Sequence, residues 1–363
     1  MAKRVSVDKT LFAVTFLLVV AGLVMVFSAS AVVANERSGS PYTFLLRQLA
    51  WAVAGLGAMF VTMKVDYRRY KHPVAVFGAL AVTCLLLIAV FFLDPSHNTH
   101  RWIRLGALSF QPSELAKPAL ILFLAYFLEN RTRQMDDFRG TLLPAFVPPL
   151  LFAALIVKQP DLGTAIACLA ISGAVFFVAG MQFRYFAYAA LGSAPILYWL
   201  LFHVAWRYKR LLAFVDPYAD PQGSGFHIIQ SLIAVSTGGL AGVGLMEGKQ
   251  KLFYLPEPQT DFIYAVIAEE WGLLGSLFVV TLFAIFLVRG VRAALGAGDP
   301  FGRYLATGIT GMVVIQALIN VSVVLGLLPT KGIPLPLISY GGSSLFLTLA
   351  SIGVLLNITQ HTD

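Results

Sequence analysis

The chain has 363 residues, of which 58% are hydrophobic and only 12% charged, with a formal net charge of +8. Soluble globular proteins average roughly 25% charged residues, so a water-soluble fold of this composition could not cover its own surface. The positive balance comes without a basic stripe of interleaved aromatics, which argues against a nucleic-acid partner and for membrane topology beside an anionic lipid surface.

Apolar runs recur along the whole chain, many of them about 17–25 residues long, the length an α-helix needs to cross ~30 Å of hydrocarbon. In lipid the backbone must satisfy itself, so the runs are read as helices, and the fold class is an all-α polytopic membrane protein. The expected spans are 10–34, 44–63, 73–93, 113–128, 142–157, 162–180, 184–204, 262–288, 304–328 and 341–358. The first has no A-x-A cleavage pattern and is too long for a signal-peptide core, so it reads as a retained helix. The fourth and fifth are short and carry Pro118 and Pro144, Pro148 and Pro149, breaks that neighbouring helices can re-satisfy. Cys84 and Cys168 fall inside spans and form neither a disulfide framework nor metal-ligand spacing. No fixed-period repeat interrupts the chain, which is read as one domain over 1–363.

Lys and Arg set the orientation. Lys3, Arg4 and Lys9, then Lys64, Arg68, Arg69 and Lys71, then Arg131, Arg133 and Arg139, then Arg289, Arg292 and Arg303 all fall on the N-terminal side of the spans. The opposite side carries fewer: Arg37, Arg101, Arg104, Lys158 and Lys331. Both termini are expected in the cytoplasm. One connection is long, 205–261 on the outer face. It contains "FHIIQSLIAV" at helical spacing and the turn signals "DPYADPQGSG" and "STGGLAGVG", so a structured interfacial or re-entrant element is expected there rather than an eleventh crossing. Its glycines do not make a nucleotide site: Glu247 stands where GxGxxG would need glycine, no strand precedes it, and no Walker A pattern exists.

Charges inside spans are expensive and each needs a partner or a task. Glu114 and Lys117 are three apart on one helix face, so they either neutralise each other or line a polar cavity. Arg101 and Arg104 suit phosphate, and Trp102 between them suits a sugar face or the interfacial belt. Asp161 after Lys158 is a helix cap or a site residue. Glu269 and Glu270 diverge by ~100°, so at most one lines a given cavity. His97 and His100 near Asp94 lack a further ligand in their loop, and no metal site is expected. Asp261 has no adjacent cation, stands at an outer helix start and closes the long loop. It is either an N-cap, with Thr260 as rival, or a catalytic group.

"GLVMVFSAS", "QPSELAK" (111–117), "KQPDLGTA" (158–165), "DPQGSGFHIIQS" (220–231), "LPEPQTDFIYAVIAEE" (255–270) and "LPTKGIPLPLISYGGSS" (328–344) closely resemble the SEDS family, the shape, elongation, division and sporulation proteins. "LPTKG" and "MVFSAS" look more like its division members than its elongation members. The resemblance implies a ten-helix enzyme of the bacterial cytoplasmic membrane that polymerises lipid II into peptidoglycan glycan strands in division or elongation. The implied partners are a class B penicillin-binding protein, contacted through transmembrane helices, and other divisome or elongasome membrane proteins. It also implies that Asp261, in "QTDF", is the essential aspartate, that Trp102 is the family's loop tryptophan, and that Glu114 and Lys117 are its intramembrane acid and base. Pro258–Gln259 and Trp271 depart from the common pattern.

On this reading Asp261 is the base that takes the acceptor hydroxyl proton. Arg101, Arg104, Arg210 and Lys117 are candidates to hold the leaving pyrophosphate, with Mg²⁺ or Mn²⁺ as a candidate bridging ion. Asp161, Glu269 and Ser343 complete the expected substrate-binding set. The competing readings are a lipid II flippase that uses the intramembrane charges as a polar path, and a non-catalytic division scaffold.

Overall fold

The computed structural model describes residues 7–94, 100–105 and 108–361. Lys3, Arg4 and His97 lie outside them. Twelve α-helices follow one another: α1 (Lys9–Ser38), α2 (Thr43–Lys64), α3 (Pro73–Leu93), α4 (Pro112–Glu129), α5 (Leu143–Lys158), α6 (Leu162–Val178), α7 (Phe183–Phe202), α8 (Ala205–Val215), α9 (Phe226–Thr237), α10 (Ile263–Leu295), α11 (Pro300–Val324) and α12 (Gly342–Thr359). A short antiparallel hairpin, β1 (Ile103–Leu105) with β2 (Leu108–Phe110), lies between α3 and α4; the hydropathy pattern gave no sign of it.

Each expected span coincides with a helix. Eight are long and apolar enough to cross a membrane on length and composition. The other two are α4, which carries Glu114 and Lys117, and α6, which has 17 residues. α9 has 12 residues, ~18 Å of rise, too short to cross. It packs instead on α10 and α11. The ten crossings place every odd-numbered connection on the face opposite the N-terminus. On the N-terminal face, Arg289 pairs with Asp8 at 2.6 Å and the Asp8 N–H donates to Thr359 Oγ1 at 3.3 Å, so both ends of the chain meet there.

The core runs through α10, α11 and α12, with α1, α2, α4 and α6 around them. α7 has no buried residue; beyond its junction with α8 it is held mainly at its start, where Tyr185 and Phe186 pack on the core, Phe183 meets Phe177 and the Tyr185 hydroxyl donates to Asp136 O. Between α11 and α12 the chain is not helical, yet Ile333, Leu335, Leu337 and Ile338 are buried. Irregular backbone at this depth survives only inside protein, where its polar groups find partners. Gln48 of α2 supplies two of them: its Nε2 donates to Ser339 O (3.1 Å), and its Oε1 accepts from Gly341 N (3.2 Å).

α10 is broken at Gly272, whose φ of 66° and ψ of −161° are not helical. The break leaves helix-end groups without helical partners, and the glycine-rich turn after α9 supplies them. Val243 N and Gly244 N donate to Glu269 O and Glu270 O (3.0 and 3.1 Å), while Leu273 N and Leu274 N donate to Gly239 O and Leu240 O (2.9 and 3.2 Å). The approach is so close that a Cβ at Gly242 would run into the Glu270 carbonyl. The glycine cluster that resembles a nucleotide loop is thus a splint for a broken helix.

The two glutamates finish this joint. Glu269 accepts from Lys249 N (2.8 Å) and Gln250 N (3.2 Å). Glu270 accepts from Met246 N (3.0 Å) and Ser28 Oγ (2.7 Å), and pairs with Lys251 at 2.5 Å. The turn 246–251 wraps the helix far enough to engage both, although neighbours on a helix diverge. The joint gives a direct expectation. Gly272→Ala places a Cβ in a conformation that only glycine adopts without strain, at about 1–3 kcal/mol. Thermal unfolding in detergent should show a lower midpoint for Gly272→Ala than for Gly57→Ala, where a Cβ would enter open space.

Candidate functional site

A cavity of about 650 Å³ opens among the odd-numbered connections. Its wall is mixed: Arg101, Asp161, Arg207, Arg210, Asp261 and Lys331 line it together with Leu201 of α7, Ile166 of α6 and Ile319 and Val323 of α11. Five separate stretches of sequence therefore meet there: 101, 160–166, 201–211, 261 and 319–333.

Asp261 is placed by backbone, not by its carboxylate. Asn320 Nδ2 donates to Asp261 O and to Ile333 O, both at 2.8 Å, tying the start of α10 to the α11–α12 connection. Ser339 Oγ donates to Thr260 O (2.5 Å) and Tyr340 N to Gln259 O (2.8 Å), so the departure from the family pattern at Gln259 leaves this lacing intact. The N-cap of α10 is Phe262, without a side-chain capping bond, so neither Asp261 nor Thr260 caps the helix. Gly332 lies directly on the Asp261 carboxylate, where any Cβ would collide with it. Burial pushes the Asp261 carboxyl up from 3.8 to about 6; Glu257 and Asp161 push the same way, and Arg101 and Arg210 oppose them.

The other acid in the cavity is occupied. Asp161 caps α6, accepting from Thr164 N (3.1 Å) and Thr164 Oγ1 (2.8 Å). Gln111 Nε2 reaches it at 3.4 Å, and Gln111 N in turn contacts Ser343 Oγ at 3.4 Å, which puts Ser343 one residue behind the cavity wall. The Arg101 guanidinium donates to Gln159 O at 3.1 Å and to Pro160 O, and so holds the α5–α6 turn. Arg210 stacks on Trp206, 5.2 Å from the ring centre, and burial lowers its pKa.

Of the ten residues expected at the site, Asp261, Asp161, Arg101 and Arg210 line the cavity. Trp102, Arg104, Glu114, Lys117, Glu269 and Ser343 do not. Trp102 N and Arg101 N donate to Asp94 Oδ2 (3.1 and 2.8 Å), so Asp94 orders the loop before the hairpin. Arg104 is exposed on β1. Glu114 and Lys117 are buried against each other, with Lys117 Nζ 2.8 Å from both carboxylate oxygens, which is the neutralising arrangement. Glu269 is held in the α10 joint. Sequence reasoning passed over Arg207 and Lys331. Lys331 entered only the orientation tally. Arg207 sits with Lys209 and Arg210 in "AWRYKRLLAF", a basic helix beside tryptophan, and that pattern was the available signal.

The chain is a multi-helix membrane bundle with an acid-bearing cavity whose wall mixes charged and apolar side chains. Residues 8–363 match the FtsW/RodA/SpoVE family, described as cell cycle proteins, and the chain belongs to that family. It is 43% identical over 344 residues to the probable peptidoglycan glycosyltransferase FtsW of Geobacter metallireducens, covering 94% of this chain and 91% of that one. It is 43% identical over 363 residues to stage V sporulation protein E of Bacillus subtilis, covering 99% of each. Among solved structures it resembles a chain from a peptidoglycan synthase complex solved for the structural coordination of polymerization and crosslinking (TM-score 0.77, 31% identity, 99% of this chain and 100% of that one). It also resembles the rod shape determining protein RodA of Thermus thermophilus (TM-score 0.71, 28% identity, 99% of each chain).

The buried pair gives a test of packing. Removing one partner leaves an uncompensated charge and costs about 3–5 kcal/mol, whereas removing both does not. Glu114→Gln and Lys117→Met singly should each lower the unfolding midpoint more than the double variant does. Additive losses would show that the two charges act separately.

Proposed function

We propose that this protein is a peptidoglycan glycosyltransferase of the bacterial cytoplasmic membrane that polymerises lipid II, with Asp261 as general base. Lipid II joins a disaccharide to a C55 lipid through pyrophosphate. The 4-hydroxyl of an acceptor disaccharide attacks C1 of the lipid-linked strand. The C1–oxygen bond to pyrophosphate breaks, lipid pyrophosphate leaves, and the hydroxyl proton passes to the Asp261 carboxylate. The observation that carries this reading is a carboxylate free of capping duty, with its proton affinity raised toward neutrality, in the wall of a cavity that also carries cations and apolar side chains. A base works best when its pKa lies near the working pH. Arg101 and Arg210 are positioned to oppose the charge that develops on the leaving pyrophosphate.

Among the described residues no group of three His, Cys, Asp or Glu side chains could hold a metal. Two carboxylates, one already capping α6, suit a Mg²⁺ or Mn²⁺ ion that arrives with a substrate pyrophosphate rather than one held by protein alone. The steps above use only protein side chains. A flippase would need an open polar path, but Glu114, Lys117, Glu269 and Glu270 are each committed to internal partners. The partner expected on this reading is a class B penicillin-binding transpeptidase, contacted through membrane helices, with other divisome or elongasome proteins. The charge bias of the loops favours cytoplasmic termini.

Asp261→Asn keeps the shape and removes the basicity, so glycan-strand yield from lipid II should fall about 10²–10⁴-fold. Its stability should not fall. Because the folded-state carboxyl is raised, the folded protein retains a proton that the unfolded chain loses between pH 3.8 and about 6. Stability is therefore lost as pH rises through that window, and at pH 7 the ionised group is a cost that Asn removes. For the wild type, kcat/KM should fall as pH drops below about 6. Near-normal polymer from a stable Asp261→Asn protein would leave the reaction without this base. Polymer-free movement of labelled head group across liposomes would favour the flippase.

Orientation is tested with Gln222→Cys and Glu247→Cys, both at exposed positions of the long connection, in a background lacking Cys84 and Cys168. An impermeant maleimide should label both from outside intact cells. Protection of either until the membrane is opened would reverse the assigned face.

A further inference from the structure

We propose that Lys331 and Arg207 form, with Arg210, a subsite for the pyrophosphate of a lipid-linked sugar in the mixed polar and apolar wall of the cavity. The inference deepens the polymerase reading and rests on it for the identity of the natural ligand.

Three observations carry it. First, the two side chains come from distant segments, α8 and the α11–α12 connection, yet line one cavity. Second, their polar atoms are under-used. Arg207 is 8% exposed, its Nε is buried without a hydrogen-bond partner, and the rest of its guanidinium reaches only Leu200 O at 3.3 Å and the Trp206 ring. Lys331 Nζ makes no hydrogen bond or ion pair with the described residues. Natural structures rarely leave a buried donor unpaired, and this one belongs to a side chain of the cavity wall. Third, the cations crowd one another. Burial first, with Arg207 and Arg210 adding to it and Asp161 opposing, lowers the Lys331 ammonium to about 8. Three like charges stay together at neutral pH only at a cost, which a multiply charged anion relieves. Pyrophosphate offers several acceptor oxygens, and charge-assisted hydrogen bonds from Arg and Lys are the strong ones.

The neighbours select a lipid pyrophosphate over a free one. Trp206 and Leu211 flank Arg207 and Arg210 in sequence, and Leu201, Ile166 and Val323 belong to the same cavity wall. An anion held by Lys331 therefore shares its cavity with apolar side chains that suit a lipid chain. Lys331 is also followed directly by Gly332, the residue lying on the Asp261 carboxylate. The anion site and the contact with the base thus come from adjacent residues of one connection.

The experiment measures binding to the purified full-length protein at pH 7 with geranylgeranyl pyrophosphate, geranylgeraniol and inorganic pyrophosphate, by shift of the unfolding midpoint and by titration. Geranylgeranyl pyrophosphate should bind and stabilise. Geranylgeraniol should do neither, and inorganic pyrophosphate should bind at least tenfold more weakly. Lys331→Met and Lys331→Gln should fold as well as the wild type, since each removes a crowded charge, and should bind the lipid pyrophosphate about tenfold or more weakly, the effect of one charge-assisted hydrogen bond. Lys331→Arg should recover most of the affinity. Wild-type affinity in both neutral variants would overturn the subsite. Equal binding of geranylgeraniol would reduce it to a lipid groove, and equal binding of inorganic pyrophosphate would make it a free-anion site, both contrary to the proposal. Asp261→Asn separates this from the polymerase reading: it should bind the lipid pyrophosphate normally while making almost no polymer. A wild type that binds the ligand but forms no polymer would sink the polymerase reading and leave the subsite standing.

Discussion

The side-chain amide of Asn320 joins two pieces of non-helical chain inside a helical bundle. By donating to both Asp261 O and Ile333 O it fixes the start of α10 against the α11–α12 connection, and the walls of the cavity follow from that contact. Each carbonyl it serves would otherwise be a buried acceptor without a donor, at about 1–3 kcal/mol. The irregular connection lets the adjacent residues Lys331 and Gly332 both reach the cavity that Asp261 lines, whereas neighbours on a helix diverge by ~100°. The membrane environment makes such backbone costly, and Asn320, Gln48 and Ser339 offset the cost with side-chain hydrogen bonds.

The broken helix α10 obeys the same constraint on a larger scale. Gly272 frees carbonyls and N–H groups, and the turn after α9 takes up the backbone partners while Glu269 and Glu270 take up the next turn's N–H groups. The three acids of "QTDFIYAVIAEE" are therefore not one constellation. Asp261 faces the cavity, and the glutamates hold the long connection onto the helix that carries it.

What could be read from the sequence divides along the range of the interactions. The ten spans were legible because run length and hydropathy are local properties. The capping role of Asp161 was legible as one of two alternatives, since a cap is decided within three residues. Which charges share a cavity was not legible. Glu114 with Lys117 and Glu269 with its loop look like Asp261 in hydropathy, and only tertiary packing separates a neutralised acid from an available one. Arg207 and Lys331 were missed for the same reason: each is ordinary in its own segment, and their significance lies in converging from segments more than a hundred residues apart. The hairpin at Ile103–Phe110 is too short to leave a periodic signal.

The two aspartates of the cavity show how environment assigns role. Asp161 accepts hydrogen bonds from a backbone N–H and a hydroxyl, and its lone pairs are directed at the helix it caps. A carboxylate so engaged is geometrically fixed on the helix it caps, which suits a structural acid and not a base. Asp261 is held by its own backbone, so its carboxylate remains available, half-buried, and pushed toward neutral pH by burial and by the charges of Glu257 and Asp161. The structural acid thus helps tune the chemical one: its fixed negative charge lies near enough to raise the proton affinity of its neighbour, while Arg101 and Arg210 keep that affinity from rising further. Two carboxylates in one cavity acquire different tasks through this asymmetry of hydrogen bonding, not through any difference in residue type.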